Sequence, residues 1–303
     1  MVAEIQAISE KDKQDIKFAL EYGADFLSIS CIRTIEDIEE VRLLLGSSKM
    51  KLLAKIENQQ GMDNFEKILA VSDGIVIDRG YLGAEIDLEL VTVAQKKMIK
   101  QANAAGKPIL IANQMMETMR NHPRPTRSEA SDVANAIFDN LDGLVLSGET
   151  AVGEYVLDSM NVIKQIAFQA EKNADYQDYQ VKMIRNVPKP LGTSESIASS
   201  AVLCARQVNA SIIVCITELG GTARLVAKYR PQIPVVASTL VRQTARQLSA
   251  NFGLVPYYHS GTIDTVLMDT LKYAIELGLC EPGQVAVITS GQVIGFLEGI
   301  DLI

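Results

Sequence analysis

Tryptophan is missing from this chain, and all aromatic residues together make up only 5% of its 303 residues. Lysine and arginine are scattered without a polybasic run, and the net charge is −8. An acidic balance of this kind argues against binding to nucleic acid or to an anionic membrane. The sequence also lacks any apolar stretch near the roughly 18 residues of a membrane-spanning helix. We therefore expect no nucleic-acid partner and no membrane.

Cysteines are few and lie far apart. The four of them show no spacing typical of metal ligands: Cys31, Cys204, Cys215 and Cys280. The start of the chain shows no basic region followed by an apolar one, the pattern of a signal peptide. These features favour a cytoplasmic protein with reduced, mostly buried thiols.

The first half of the chain repeats one pattern, in which a short apolar run ends in polar or glycine residues and a helical pattern follows. Ser9 and Thr34 begin two of these helices as capping boxes. Runs that are apolar throughout, rather than alternating, are typical of parallel strands covered by helices. The five runs are 25–30, 51–57, 74–79, 108–113 and 142–147.

The pattern breaks at residues 173–191, where a polar stretch leads into Pro188 and Pro190, and we interpret this segment as a linker. A second α/β series follows, which indicates a doubly wound parallel domain. Its predicted helices are 193–208, one from about 221, 241–251 and 262–277, and its predicted strands are 211–216, 234–238, 254–258 and 284–289.

Chemistry-bearing residues gather at the ends of the second and third runs. Lys55 and Glu57 alternate along one strand, so their side chains face the same side. The third run leads through Asp78 into a glycine-rich turn that begins with Gly80 and Tyr81. Backbone N–H groups in such a turn suit a carboxylate or a phosphate.

Many linked segments, in the same order, resemble the pyruvate kinase family. They are 7–12, the Lys-Ile-Glu-Asn strand at 55–58, 72–74, 105–108, 114–115, 123–127, 131–136 and 146–151. The resemblance implies a (β/α)8 barrel, of which the five runs correspond to strands 4–8, and a C-terminal α/β domain. We thus expect a partial TIM barrel at 1–172, the linker at 173–191 and a doubly wound parallel α/β domain at 192–303.

The resemblance also implies roles. Lys55 would stabilise the charge on a transferred phosphoryl group, and Glu57 would bind Mg²⁺. Arg79, Gly80 and position 81 would contact the substrate, with phosphoenolpyruvate, pyruvate, ADP and ATP as the ligands. The K⁺ site of the family falls in a portion that this sequence does not contain. A structural reading of Lys55 and Glu57, as an ion pair plugging the barrel mouth, stays open.

Several positions depart from the family. Tyr81 replaces the Asp that is the second metal ligand, and a phenol is a poor ligand for a hard cation. Asp78 stands where Ala is usual, and either substitutes as an acid or pairs with Arg79 or Lys55. Asn113 replaces a Thr, and an amide cannot relay a proton as a hydroxyl can. Val152 replaces a Lys.

These departures lead us to expect that Mg²⁺ binding is weak or lost and that the protein is impaired or inactive, acting through assembly or regulation. The alternative is a working portion of a pyruvate kinase, completed by another segment.

In the second domain, Thr217, Gly220, Gly221 and Thr222 follow a strand and open a helix. The resemblance implies that this loop holds the phosphate of an effector. A plain strand–helix turn is an equally open reading, because Glu218 would repel a phosphate.

Five parallel strands of a barrel leave two unpaired edges. We expect apolar residues such as Ile29, Leu53 and Ile111 to face the unfilled space. Another copy, another chain or another part of a longer protein would complete the barrel; a rearranged sheet is the remaining alternative.

Overall fold

The computed structural model describes residues 8–187 and 189–290. By their internal contacts the residues form two compact units, the first ending at Ala174 and the second beginning at Asp175. Both units are built from parallel strands and helices.

The first unit contains one five-stranded parallel sheet in the order β1-β2-β3-β4-β5. Its strands are β1 (Phe26–Ile29), β2 (Lys51–Ile56), β3 (Gly74–Asp78), β4 (Ile109–Ala112) and β5 (Gly143–Val145). Its helices are α1 (Glu10–Glu21), α2 (Ile35–Leu45), α3 (Gln59–Asp63), α4 (Phe65–Val71), α5 (Arg79–Glu85), α6 (Leu88–Ala105), α7 (Arg127–Phe138), α8 (Gly148–Ala151) and α9 (Val156–Asn173), with a 3₁₀ turn at Glu117–Arg120. Strand order follows chain order, as in a barrel built from βα units.

Capping boxes fix where several of these helices begin. The Ser9 hydroxyl accepts from the Asp12 N–H, and the Asp12 side chain accepts from the Ser9 N–H in return. Thr34 opens α2 in the same way. The predicted capping boxes at Ser9 and Thr34 are therefore confirmed.

The two faces of this sheet differ. Alternate residues such as Ile29 and Ile111 belong to the large core between sheet and helices. The other residues of each strand form a small cluster on the opposite, inner face, made of Leu53, Val76 and Ala112 with Phe26, Leu110 and Val145 around them. The expectation that Ile29 and Ile111 face the inner side was wrong, because a run that is apolar throughout does not reveal which residues point which way. Leu53 does face it.

The second unit holds a four-stranded parallel sheet in the order β8-β7-β6-β9. Its strands are β6 (Ile212–Ile216), β7 (Val235–Thr239), β8 (Leu254–Tyr258) and β9 (Ala286–Ser290), and its helices are α10 (Tyr176–Asn186), α11 (Thr193–Gln207), α12 (Gly221–Lys228), α13 (Arg242–Leu248) and α14 (Val266–Glu276). Alternate residues of β6 pack into separate cores on the two sides of the sheet, Ile213 into one and Val214 into the other. This arrangement is the predicted doubly wound one.

Helix α10 lies within residues 173–191, which the sequence analysis interpreted as the linker. Met183 packs into the core of the second unit, and the Tyr179 hydroxyl donates to the Lys228 carbonyl at 3.0 Å. Gln180 donates to the Arg230 carbonyl at 3.1 Å. These tertiary contacts stabilise a helix that the polar sequence of this stretch does not suggest.

All four cysteines are free thiols, but only Cys215 is buried. The prediction that the thiols are mostly buried is therefore wrong. Within the described part of the chain, no helix combines the length and apolar character that crossing a bilayer needs.

A charged cluster joins the starts of β2 and β3. The Asp73 carboxylate accepts from Arg42 at 2.5 Å and from the Leu52 N–H at 2.9 Å, and it pairs with Lys51 at 3.1 Å. Burial alone would raise the pKa of Asp73, but the Leu52 hydrogen bond and the two cations outweigh it, so its pKa lies below the ordinary value. The ionised form therefore stabilises the folded state.

We predict that Asp73→Asn lowers the free energy of unfolding by about 1–3 kcal/mol at neutral pH, the range for a hydrogen-bonded charged group. Since the folded-state pKa is lowered, this stabilisation is present above the ordinary carboxyl pKa of about 4 and is lost as pH falls below it. Urea titrations of both proteins at several pH values test this. A difference that stays constant down to acid pH would contradict it.

We also predict that the full chain associates in solution. Within the described residues β1 and β5 each pair on one side only, and the inner face carries half-buried Phe26, Leu110 and Val145. Burying apolar surface contributes about 25 cal/mol per Å². Sedimentation equilibrium at micromolar concentration should show an assembly.

A matched pair of variants locates the surface involved. Leu110→Lys on the inner face should weaken the association, whereas Leu43→Lys on the exposed side of α2, 82% exposed in the wild type, should not. A cooperatively unfolding monomer of the wild type would overturn this prediction.

Candidate active site

Lys55 lies at the end of β2 with three oxygen atoms around its ammonium group. The nitrogen is 2.6 Å from Glu57 Oε1, 3.0 Å from Asp78 Oδ2 and 3.1 Å from the Ser30 hydroxyl. Because residues 55 and 57 alternate along the strand and Asp78 ends the neighbouring strand on the same face, the three charged groups meet at one point. The ion pair that the sequence left open is therefore present.

Both carboxylates are almost completely buried, with Glu57 3% and Asp78 1% exposed. Burial alone would lower the pKa of Lys55, but the two carboxylates outweigh it and its pKa lies above the ordinary value. Burial alone would raise the pKa of Asp78, but Asn113 and Lys55 outweigh it, so its pKa is lowered. The site thus brings one ammonium group into contact with two buried carboxyl groups.

Asp78 has a second set of partners on its other oxygen. Oδ1 accepts from the Asn113 side-chain amide at 2.6 Å and from the Tyr81 N–H at 3.5 Å. Of the two cations that the sequence offered as partners for Asp78, the structure gives Lys55. Asp78 also caps α5, so the segment predicted as a glycine-rich turn is in fact the first turn of a helix.

Asn113 connects this cluster to the next strand. Its side-chain oxygen accepts from the Ser147 hydroxyl at 2.5 Å, and its backbone is in the left-handed region at φ 67°, which Asn tolerates better than most residues. Lys55, Asp78, Asn113 and Ser147 thus form a continuous polar chain across the ends of β2 to β5.

The partners of Arg79 lie outside the group formed by Lys55, Glu57 and Asp78. Arg79 is buried, it pairs with Asp132 at 2.5 Å, and it donates to the Gln114 carbonyl at 2.6 Å. Its guanidinium therefore braces the loop after β4. Gly80 lies beside Asp78 and Asn113, where an added Cβ would meet both at ordinary contact distance.

Tyr81 is 65% exposed. It shares with Glu57 a cavity of about 670 Å³, whose lining also includes Ser30, Cys31 and Arg33. The Cys31 N–H donates to Glu57 Oε2 at 2.5 Å. Val152, the other hydrophobic replacement, is also exposed, at the end of α8.

Sequence reasoning missed Ser30, Cys31 and Ser147 as members of the site. Ser30 and Ser147 are the last residues of the first and fifth predicted runs, and strand ends are where such side chains meet. Their place at the end of a predicted strand would therefore have indicated Ser30 and Ser147 as site residues.

The donor set does not fit the metal site that the family resemblance implies. A hard divalent cation needs several oxygen ligands, carboxylates above all. Here both buried carboxylates already contact an ammonium, and position 81 offers an exposed phenol. Among residues 8–187 and 189–290 no group of three or more His, Cys, Asp or Glu side chains is arranged to hold a metal ion.

The loop after β6 is held by hydrogen bonds among its own residues and the first turn of α12. The Thr217 hydroxyl accepts from the Gly220 N–H at 3.1 Å, and Gly220 takes the left-handed conformation, at φ 80°, from which α12 begins at Gly221 and Thr222. Arg224 donates to the Leu219 carbonyl at 2.8 Å. The predicted strand–loop–helix order is present, and both readings of the loop remain compatible with it.

Comparison with known proteins gives two family matches. Residues 1–160 match the pyruvate kinase barrel domain, and residues 195–303 match the pyruvate kinase alpha/beta domain. The chain is 42% identical to pyruvate kinase of Dictyostelium discoideum, covering 97% of this chain and 59% of the relative. It is also 42% identical to the enzyme of Eimeria tenella, covering 95% and 55%. The chain thus spans somewhat more than half the length of these relatives.

Comparison with solved structures indicates the same family. A crystal structure of a pyruvate kinase from Cryptosporidium parvum superposes with a TM-score of 0.94 at 39% identity, covering 99% of this chain and 63% of that one. The same organism's pyruvate kinase in complex with ADP superposes at 0.90, with 40% identity, 95% and 60% coverage. The predicted fold, part of a barrel followed by an α/β domain, is confirmed, and the chain belongs to the pyruvate kinase family.

Proposed function

We propose that this chain is a pyruvate kinase-like protein with impaired phosphoryl transfer, acting in the cytoplasm through assembly or regulation. One observation carries the proposal: the acid that the family resemblance places at position 81 is replaced by an exposed phenol, while Asp78 pairs with Lys55.

Phosphoryl transfer depends on neutralising the charge that spreads over the transferred group. In this chain the charge of Lys55 is already balanced by Glu57 and Asp78. The formal charges of one ammonium and two carboxylates leave an excess of negative charge, which would repel an incoming phosphate rather than attract it. Mg²⁺ binding is weakened by the same contacts, since both carboxylates are engaged.

Asn113 adds to the impairment. The resemblance implies a threonine hydroxyl here that assists a proton relay, whereas the amide of Asn113 donates to Asp78 and accepts from Ser147. An amide that is held on both sides has no proton to pass on at neutral pH.

The alternative is a working portion of a pyruvate kinase that transfers a phosphoryl group from phosphoenolpyruvate to ADP. The presence of both Lys55 and Glu57, together with similarity to a pyruvate kinase whose structure holds ADP, favours it. Another segment, from a longer polypeptide, a second copy or a different chain, would then complete the barrel and supply the K⁺ site. The loop at Thr217 to Thr222 would bind an effector phosphate in either case, or serve only as a turn.

A coupled assay with phosphoenolpyruvate, ADP, Mg²⁺ and K⁺ tests the proposal on the full chain. We predict no turnover above background. The metal ligand that the resemblance implies at position 81 is missing, and the positive charge of Lys55 is already balanced by Glu57 and Asp78. Turnover in the usual enzyme range of about 1–1,000 per second would contradict the proposal and establish the alternative.

We further predict that Tyr81→Asp raises the affinity for Mn²⁺ by roughly three- to tenfold, since it adds a carboxylate to the cavity that Glu57 lines. Isothermal titration of wild type and variant measures this. Tyr81→Asn, without the charge, and Tyr22→Asp, at an exposed tyrosine of the same unit, are the controls. Equal affinity in Tyr81→Asp and Tyr81→Asn would show that position 81 does not set metal binding.

A further inference from the structure

The surroundings of Lys55 resemble the coordination of a metal ion more than an ordinary ion pair. An ammonium group has three N–H donors and no acceptor. Three oxygen atoms lie within 3.1 Å of it, one each from Ser30, Glu57 and Asp78. These residues come from the ends of β1, β2 and β3, so three neighbouring strands converge on one cation.

In each carboxylate, the oxygen that does not contact Lys55 also accepts a hydrogen bond. The second oxygen of Glu57 accepts from the Cys31 N–H at 2.5 Å. The second oxygen of Asp78 accepts from the Asn113 amide at 2.6 Å. The inner oxygens, Glu57 Oε1 and Asp78 Oδ2, are therefore aimed at a common point by contacts that do not involve Lys55.

Two buried carboxylates aimed at one point require a cation between them, because an uncompensated buried charge is costly. Carboxylate and hydroxyl oxygens are also the donors that a hard divalent cation takes. The ammonium nitrogen lies among the same three oxygens, at 2.6–3.1 Å, which is longer than the bonds of a divalent metal ion but normal for an ammonium group.

We propose that Lys55 is the resident cation of this site, holding Glu57 and Asp78 in place of a divalent metal ion. The wild-type chain then binds no divalent ion at these two carboxylates. The inference concerns the site of the proposed function and rests on it only for the location of that site.

The direct test replaces the ammonium by an uncharged group of similar length. Lys55→Met in the full chain should bind Mn²⁺ at least about tenfold more tightly than the wild type, measured by electron paramagnetic resonance of free Mn²⁺. The double variant Lys55→Met/Asp78→Asn should lose this gain. Lys51→Met is the matched control, because Lys51 begins the same strand and pairs with the single carboxylate of Asp73, so it should show no gain.

Equal Mn²⁺ affinity in the wild type and in Lys55→Met would overturn the inference. So would a gain that survives in the double variant, because the ion would then lie elsewhere. Circular dichroism establishes whether Lys55→Met is folded.

A second variant decides the question if Lys55→Met does not fold. Asp78→Ala introduces the residue usual in the family at this position, and it releases one contact of Lys55 and one of Asn113. It should bind inorganic phosphate several-fold more tightly than the wild type. Asp63→Ala removes an equal charge from the cavity that Glu57 lines, where Asp63 bonds to Gln59, and it should give a smaller change.

A phosphate affinity no higher in Asp78→Ala than in Asp63→Ala would overturn the inference. The two proposals fail separately. Turnover in the coupled assay would contradict the impaired function whatever the binding results, whereas Mn²⁺ bound equally by wild type and Lys55→Met would contradict only the role of Lys55.

Discussion

Two carboxylates buried side by side need a cation, and in this chain Lys55 provides it. Glu57 and Asp78 are both almost fully removed from water, and each approaches the ammonium within 3.0 Å. Removing one partner from such a cluster typically costs about 3–5 kcal/mol, because a buried charge is left without compensation. The position of β2 against β3 and the first turn of α5 both depend on this cluster, since Asp78 belongs to the strand and caps the helix.

The family resemblance implies an acid at position 81 and none at position 78, whereas this chain has Tyr81 and Asp78. At residue 81 an acid would lie on the exposed side of α5, where Tyr81 is now found beside the cavity. At residue 78 it lies on the inner face of β3, next to Lys55 and Asn113. The count of acidic groups is similar in the two arrangements, but their geometry is different. An acid at position 81 borders open space in which a ligand can be held, whereas Asp78 closes the space by pairing with the protein itself.

Sequence patterns predicted the parallel strands, two capping boxes and the common orientation of Lys55 and Glu57, because these follow from local periodicity. They did not predict which side Ile29 and Ile111 face, since uniformly apolar strands carry no alternation. The sequence left open whether Asp78 pairs with Arg79 or with Lys55. Arg79 in fact pairs with Asp132, which is 53 residues away in the chain, and local patterns do not reveal such a distant partner. Helix α10 was missed for a related reason: its support comes from Lys228 and Arg230, far along the second unit.

The cation between Glu57 and Asp78 is, in our proposal, the Lys55 ammonium group of the protein itself. Anomalous diffraction from crystals of the full chain soaked with Mn²⁺ tests it most directly, because the manganese signal distinguishes a metal ion from a nitrogen atom. We expect no anomalous peak between the two carboxylates, with the Lys55 nitrogen in contact with both. A manganese peak bonded to Glu57 and Asp78, with Lys55 displaced, would contradict it.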